Sequence, residues 1–357
     1  MGKVIQISVD AGNGGVNAVT GKADCYFPSV RSVATGDRLD ISLMQMDTVW
    51  HRWGGAGWYI GDDVARMGVS SPERHQGANR YGNEFHQHLV AHACAKLGAG
   101  LKGKTEIGLT LFAPPGLYNE VSAVIQRNFM ENDGAVEIHY SNEDKPRKWN
   151  YTSVTVWPEG IGAAAALMFD HNGQPKWSEL FRGQFALLDG GIHTLDSIVL
   201  SDGDFNPETL QHATWANDGL RKHILDPILR DIRKRGGDFS GVTLDHIDAA
   251  LRDPEHKVRI TSTVVIPIGP ALKSYGERYA GWVANTIIDP VLNGLNGYSG
   301  LALVGGWTDI VEPHLRKWYG DKIFDRTQHT FASKIHPAYW NSYGGAVLAL
   351  LMARAAG

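Results

Sequence analysis

Two cysteines, Cys25 and Cys94, are all that this 357-residue chain carries. That is too few for a disulfide framework and points to a reducing, cytosolic setting. A basic surplus is missing as well. Lys and Arg number 34 against 38 Asp and Glu, a net charge of -4 with pI near 6.4, which argues against direct binding to nucleic acid. Long apolar runs are also absent. "GGAVLALLMARAAG", the most apolar stretch, falls short of the roughly 18 residues a membrane span needs and reads as a buried helix. "MGKVIQISVDAG" at the N-terminus has no signal-peptide character and reads as a strand.

Glycine, by contrast, is plentiful. The 42 glycines are about 12% of the chain against an average near 7%, which implies tight turns or close backbone approach to a ligand. "GAGLKGKT", Gly98 to Thr105, matches the P-loop pattern G-x-x-x-x-G-K-[ST], which works only between a strand and a helix. Here a helical pattern with Phe85, Leu89, Ala93 and Leu97 precedes it and the apolar strand "EIGLTLFAPPG" follows. The order is reversed, and the match is a coincidence of composition.

The remaining chain reads as alternating strands and helices. A helix start is expected at Ser71-Pro72-Glu73, one strand over "HKVRITSTVVIPI", one long helix from about Pro270 to Leu295, and a terminal helix from about Ala338. The length suits two lobes.

Two turns share one design. "ISVDAGNGGVNAV" and "ALLDGGIHTLDSIV" both run apolar strand, aspartate, glycine-rich turn, apolar strand, with Asp10 and Asp189 in equivalent places. Either turn alone reads well as a tight Asp-Gly hairpin. The pair, one in each half, reads as a duplicated phosphate-binding device: turn amides hold an anion while the aspartate holds magnesium through water. A Rossmann reading is excluded, because "AGNGG" runs into a strand where that motif must open a helix.

Three further segments follow in order: Pro158-Glu159 opening the helix of "VTVWPEGIGAAAA", Gly305-Gly306 ending the strand of "LALVGGWTDIV", and "HPAYWNSYGGAVLALL" with an Asn-x-x-Gly helix start. Together the five segments resemble the nucleotide-binding signature of the actin, Hsp70 and sugar-kinase superfamily. "FPSVRSVA", "WYIGDDVAR" and "LTLFAPPGLY" extend that likeness over nearly the whole chain to the actin-like proteins of the ParM (StbA) type, which segregate plasmids.

The resemblance implies an α/β, two-lobed actin-like fold of the duplicated ribonuclease H-like kind, with a nucleotide cleft between lobes. Domain I would comprise 1–175 plus 338–357, and domain II 176–337. It implies an Mg2+-dependent ATPase, using ATP or GTP, that forms a homopolymer filament in the cytoplasm. Such a filament would meet DNA through an adaptor protein and touch no membrane. Asp10 and Asp189 would hold the metal. Gly12, Asn13, Gly14, Gly15 and Asn17, with Gly190, Gly191, His193 and Thr194, would line the phosphates, and Gly305 and Gly306 the adenosine. Glu159 would orient the attacking water, the other reading being a first-turn Glu that favours the helix dipole. A small-molecule kinase of the same superfamily is the alternative function; a non-catalytic nucleotide-binding protein is a third.

One position departs from the family. Asn17 stands where a lysine usually reaches the β- and γ-phosphates, and Asn cannot neutralise charge. Lys22 is a nearby substitute cation; otherwise binding leans on magnesium and backbone amides, with similar affinities for ATP and ADP. His86, His88 and His92, followed by Cys94, have spacing open to a metal site, but a solvated helix face is the better reading. Trp50, Trp53 and Trp58 read as hairpin packing or a subunit contact.

Overall fold

The computed structural model describes residues 4–21, 23–34, 50–53, 56–66, 72–260, 264–329 and 332–355. The chain divides into two compact units, Met1–Trp177 with Thr330–Gly357, and Ser178–His329.

Among its described residues the first unit forms a nine-stranded mixed sheet. Its strands are β1 (Ile5–Ala11), β2 (Gly15–Thr20), β3 (Ala23–Pro28), β4 (Arg31–Val33), β5 (Trp50–Trp53), β6 (Ala56–Ile60), β7 (Thr105–Ala113), β8 (Ala135–Tyr140) and β9 (Arg147–Pro158), in the spatial order β3-β2-β1-β7-β9-β8-β5-β6-β4. β1, β7 and β9 run parallel at its centre. Seven successive residues of β7, Ile107 to Ala113, are buried, as a central parallel strand covered on both faces requires. A parallel centre also gathers the carboxyl ends of its strands on one side, where α/β proteins take their ligands.

Helix Ile161–Met168 follows β9 and is buried throughout. Its alanines let the final helix, Trp340–Ala355, come close. A Cβ on Gly344 would collide with the Gly162 carbonyl, and one on Gly162 with the Asn341 carbonyl. The two helices cross at these glycines, a contact that no larger residue permits.

Helix Glu84–Lys96 packs on β1 and β2 and carries the three histidines. They are buried, not solvated, which corrects the expected polar face. Aromatic rings explain it: His86 meets Tyr81 and Phe129 edge-on, His88 meets Trp58, and His92 meets Phe27. Burial and the Arg80 charge pull the His86 pKa down to about 3, and its Nδ1 accepts the Gly82 N–H at 2.9 Å. Neutral imidazole is an adequate core ring when its nitrogens find partners. Among the described residues no group of three or more His, Cys, Asp or Glu could hold a metal.

The helix start at Pro72-Glu73 is not made, Ser71 lying outside the described residues. Glu73 instead bridges backbone to backbone with Arg31 and takes its guanidinium in two hydrogen bonds. β5 and β6 pair as the expected hairpin. Trp58 packs under Arg31, whose Cζ lies 4.0 Å from the ring centroid; Lys22, Gly54 and Gly55 and the side chains of Trp50 and Trp53 lie outside what is described. Helix, loop and strand succeed one another around "GAGLKGKT", as the sequence predicts.

The second unit holds a four-stranded sheet among its described residues: β10 (Gln184–Gly190), β11 (Thr194–Ser201), β12 (Gln211–Ala216) and, after the two-stranded hairpin β13 (Lys257–Arg259) and β14 (Val265–Pro267), β15 (Tyr298–Val304). Their order is β12-β11-β10-β15, with β10 and β15 parallel. β13 and β14 correct the expected single strand. The expected long helix runs as Gly269–Val283, a wider π turn Ala284–Ile288 and a last short turn Asp289–Val291. Pro290 has no N–H to continue an α ladder, which fits a break there. None of the described helices is long and apolar enough to cross a membrane.

Candidate functional site

Each aspartate turn joins two antiparallel strands, β1 to β2 and β10 to β11. Asp10 lies opposite Asn17 and Ala11 opposite Val16; Asp189 lies opposite Asp196 and Gly190 opposite Leu195. From aspartate onward the burial sequence is the same residue for residue: half-buried Asp, buried Ala or Gly, four half-buried turn residues, then buried strand. Both turns therefore have one register and one partly open face.

In the second turn the carbonyls are fixed from behind. Gly219, Leu220 and Arg221, at the start of a helical segment, donate their amides to His193, Gly191 and Ile192 at 3.1, 3.0 and 2.9 Å. Those helix-start amides lack partners inside the helix, so the turn caps them. A planar trans peptide sends the next N–H opposite to each carbonyl. The amides of Ile192, His193 and Thr194 consequently point away from the helix start, the direction in which backbone N–H groups can receive an anion. Gly219 is required there, since a Cβ would stand 2.7 Å from turn backbone.

In the first turn the same task falls to a side chain. The Arg80 guanidinium, 0% exposed, donates to Ala11 O at 2.5 Å, Gly12 O at 2.8 Å, Asn13 Oδ1 at 2.7 Å and Ser29 Oγ at 3.0 Å. The Ser29 amide takes the Gly14 carbonyl at 3.2 Å. By the same peptide geometry, the amides of Asn13 and Gly15 turn away from these donors. Burial pulls the guanidinium below its ordinary pKa, and Tyr81, Glu159 and Asp10 push it back up.

Asp10 is the last residue but one of β1, and Glu159 follows the end of β9, with its N–H on Ala113 O at 2.8 Å at the end of β7. Asn341 ties these ends together. Its Oδ1 accepts from Gly160 N at 2.8 Å and Ala163 N at 3.2 Å, capping helix Ile161–Met168, while its Nδ2 donates to Asp10 Oδ2 at 3.3 Å. Asn17 turns its Nδ2 to Ala338 O at 3.0 Å, and its buried Oδ1 accepts no hydrogen bond among the described residues.

In the second unit, Gly305 adopts φ +95°, a conformation glycine tolerates. A Cβ there would stand 2.9 Å from Asp189 Oδ1 and collide with Gly190 O. Trp307, fully buried, fills the space that a side chain on Gly190 would need. Gly306 is exposed with open space around it.

Asp196 was not among the residues the sequence singled out. It is buried, its carboxyl pushed up to about 7 by burial, against a 2.5 Å hydrogen bond from Thr214 Oγ1, with the neighbouring Asp189 charge pushing further up. Its signal was available: an aspartate seven residues after Asp189, where Asn17 follows Asp10. Asn341 also had one, the Asn-x-x-Gly helix start; Arg80, in "GANRYG", had none.

Hard carboxylate oxygens suit magnesium. Each turn, taken by itself, carries one such carboxylate: Asp10, which receives the Asn341 amide on one oxygen, and Asp189, beside the buried Asp196.

Residues 8–162 match the family model for the N-terminal domain of actin-like proteins. Among solved structures, the chain is similar to ParM in a 15-stranded filament from Clostridium botulinum, with TM-score 0.73 and 17% identity over 97% of this chain and 99% of that one. It is similar to an archaeal actin homologue in complex with ADP, with TM-score 0.71 and 17% identity over 97% and 99%. It is also similar to the actin-like protein Alp7A, with TM-score 0.69 and 13% identity over 99% and 98%. No curated protein matches the sequence.

Proposed function

We propose that this chain, actin-like in its fold and in residues 8–162, is a nucleoside triphosphatase that assembles with its own copies into a filament. Each aspartate turn binds phosphate of ATP or GTP, the first on the outward amides of Asn13 and Gly15 and the second on those of Ile192, His193 and Thr194. Asp10 and Asp189 hold magnesium through water. Gly305 and Gly306 pass beside the adenosine, and Glu159 orients the water that attacks the terminal phosphate in line. Positioning and charge neutralisation carry such a reaction, with little covalent chemistry for the protein to do.

The observation that supports this most is the equivalence of the two turns. Each presents amides away from fixed carbonyls beside one half-buried aspartate. A hairpin needed only to reverse the chain has no use for that arrangement.

Filament growth is head to tail, the mode of association that does not close on itself. The role is segregation of a plasmid or other DNA through an adaptor protein, in keeping with the acidic net charge.

Sedimentation with ATP, with ADP and without nucleotide, run beside phosphate release, tests this reading. Pelleting that requires ATP, with phosphate released as polymer forms, is the expected result. A chain that stays monomeric and releases phosphate only when a small acceptor molecule is added would be a kinase instead. Glu159→Ala should slow phosphate release about 100-fold or more and lengthen polymer lifetime; unchanged hydrolysis would remove Glu159 from the mechanism.

A further inference from the structure

We infer that Arg80 is the positioning residue of the first phosphate turn: it fixes the Ala11 and Gly12 carbonyls behind it, aims the Asn13 amide outward, and sets a positive charge behind a bound polyphosphate. The inference rests on the nucleotide reading above and names the group that gives the first turn its anion affinity.

The turn has no cation of its own, since no Lys or Arg lies between Asp10 and Asn17. Asn17, across the ladder from Asp10, is neutral and turns its amide to Ala338 O. Among the described residues Arg80 is a cation that contacts this turn, and three of its four acceptors belong to it: Ala11 O, Gly12 O and Asn13 Oδ1. The fourth, Ser29 Oγ, belongs to the residue whose amide holds Gly14 O. Burying a guanidinium completely is costly unless its donors are satisfied and its charge is balanced. Here two backbone carbonyls and two side-chain oxygens accept from Nη1 and Nη2, Nε makes no hydrogen bond among the described residues, and Asp10 and Glu159 supply opposite charge nearby.

The planar fork also explains why arginine occupies this place. One guanidinium can hold two successive backbone carbonyls and a side-chain oxygen together, whereas an ammonium acts as a point charge. Across each planar peptide the fixed carbonyl determines where the next amide points. Arg80 therefore acts through the turn, at its back, and does not itself touch the nucleotide.

The test measures affinities of the full chain for Mg·ATP, Mg·ADP and AMP by titration calorimetry, in wild type, Arg80→Gln and Arg80→Lys. Arg80→Gln should weaken ATP and ADP by about 10- to 100-fold and AMP by no more than about twofold. Arg80→Lys keeps the charge without the fork and should fall between, at about 3- to 10-fold for ATP. Wild-type affinity for ATP in both variants, or equal losses for all three nucleotides, would overturn the inference, since equal losses indicate a structural role only. Should Arg80→Gln fail to fold by gel filtration and melting, the ATP-to-AMP ratio of Arg80→Lys decides alone. Wild type that binds none of the three nucleotides overturns the underlying nucleotide reading, and this inference with it, before any substitution is compared.

Discussion

The two aspartate turns share register and burial but are held by different chemistry. Backbone holds the second: three amides at a helix start take the carbonyls of Gly191, Ile192 and His193. A side chain holds the first, because Arg80 reaches Ala11, Gly12 and Asn13 from about 70 residues away in sequence. The same outward set of amides thus arises either from a local helix start or from a distant buried cation. The two solutions should fail differently.

Arg80→Gln is the largest expected effect. Removing the guanidinium leaves buried carbonyls without donors and Asp10 and Glu159 without their neighbouring charge, so the first unit should lose about 3–5 kcal/mol. The urea midpoint should drop accordingly, and hydrogen exchange should quicken around β1 and β2 while β10 and β11 keep their protection. Loss spread evenly over both units would contradict the local role of Arg80.

Gly219→Ala is the matching change in the second unit. Its Cβ would stand 2.7 Å from the backbone of Gly191, Ile192 and His193, where no flexible side chain can give way. The helix start must then lift from the turn, at a cost of about 1–3 kcal/mol. Protection should fall at β10 and β11 this time. Wild-type exchange there would mean that the turn does not need the helix amides.

The turns were legible in sequence because each is local: strand, aspartate, glycines and strand occupy about thirteen adjacent letters. What holds the first turn was not. Arg80 ends the single 3-10 turn Ala78–Arg80, flanked by glycines and without a periodic pattern, and only the sheet brings it under Ala11 and Gly12. The histidines misled for another reason. Polarity assigns them to a wet face, yet an imidazole packs edge-on like any aromatic ring, and Phe27, Trp58 and Phe129 take three of them into the core. β8 was missed although "AVEIHY" alternates exposed and buried through all six residues. β12 gave less to read, since "QHATWA" has no fully buried residue and no apolar stripe.

Asn17 and Asp196 sharpen the comparison, being equivalent positions of unlike charge. The folded Asp196 carboxyl holds its proton to about pH 7, against an ordinary value of 3.8. The native state therefore binds more protons than the unfolded state between these values, so stability falls as pH rises from about 4 to 7. Above pH 7 both states are ionised and the full cost of the buried charge remains. Asp196→Asn removes it. In nucleotide- and metal-free buffer the variant should exceed wild type in stability at pH 8 and match it near pH 4. A gain of equal size at both pH values would show that packing, not ionisation, is responsible.

The smallest effect tests how Asp10 is held, a task for which the first unit again uses a distant side chain. Asn341 caps helix Ile161–Met168 through Gly160 N and Ala163 N and donates to Asp10 Oδ2. Losing a cap costs about 1 kcal/mol, so Asn341→Ala should lower the melting temperature by only a few degrees. Its consequence for the metal should be larger in proportion, because a carboxylate freed from its donor must be oriented again each time magnesium binds. Asn341→Asp separates the two roles: the carboxylate still accepts from both amides and keeps the cap, but it repels Asp10. Near-wild-type melting with a raised magnesium requirement for nucleotide binding is the expected pairing. Wild-type magnesium dependence in both variants would reduce Asn341 to a helix cap, leaving Asp10 oriented by β1 alone.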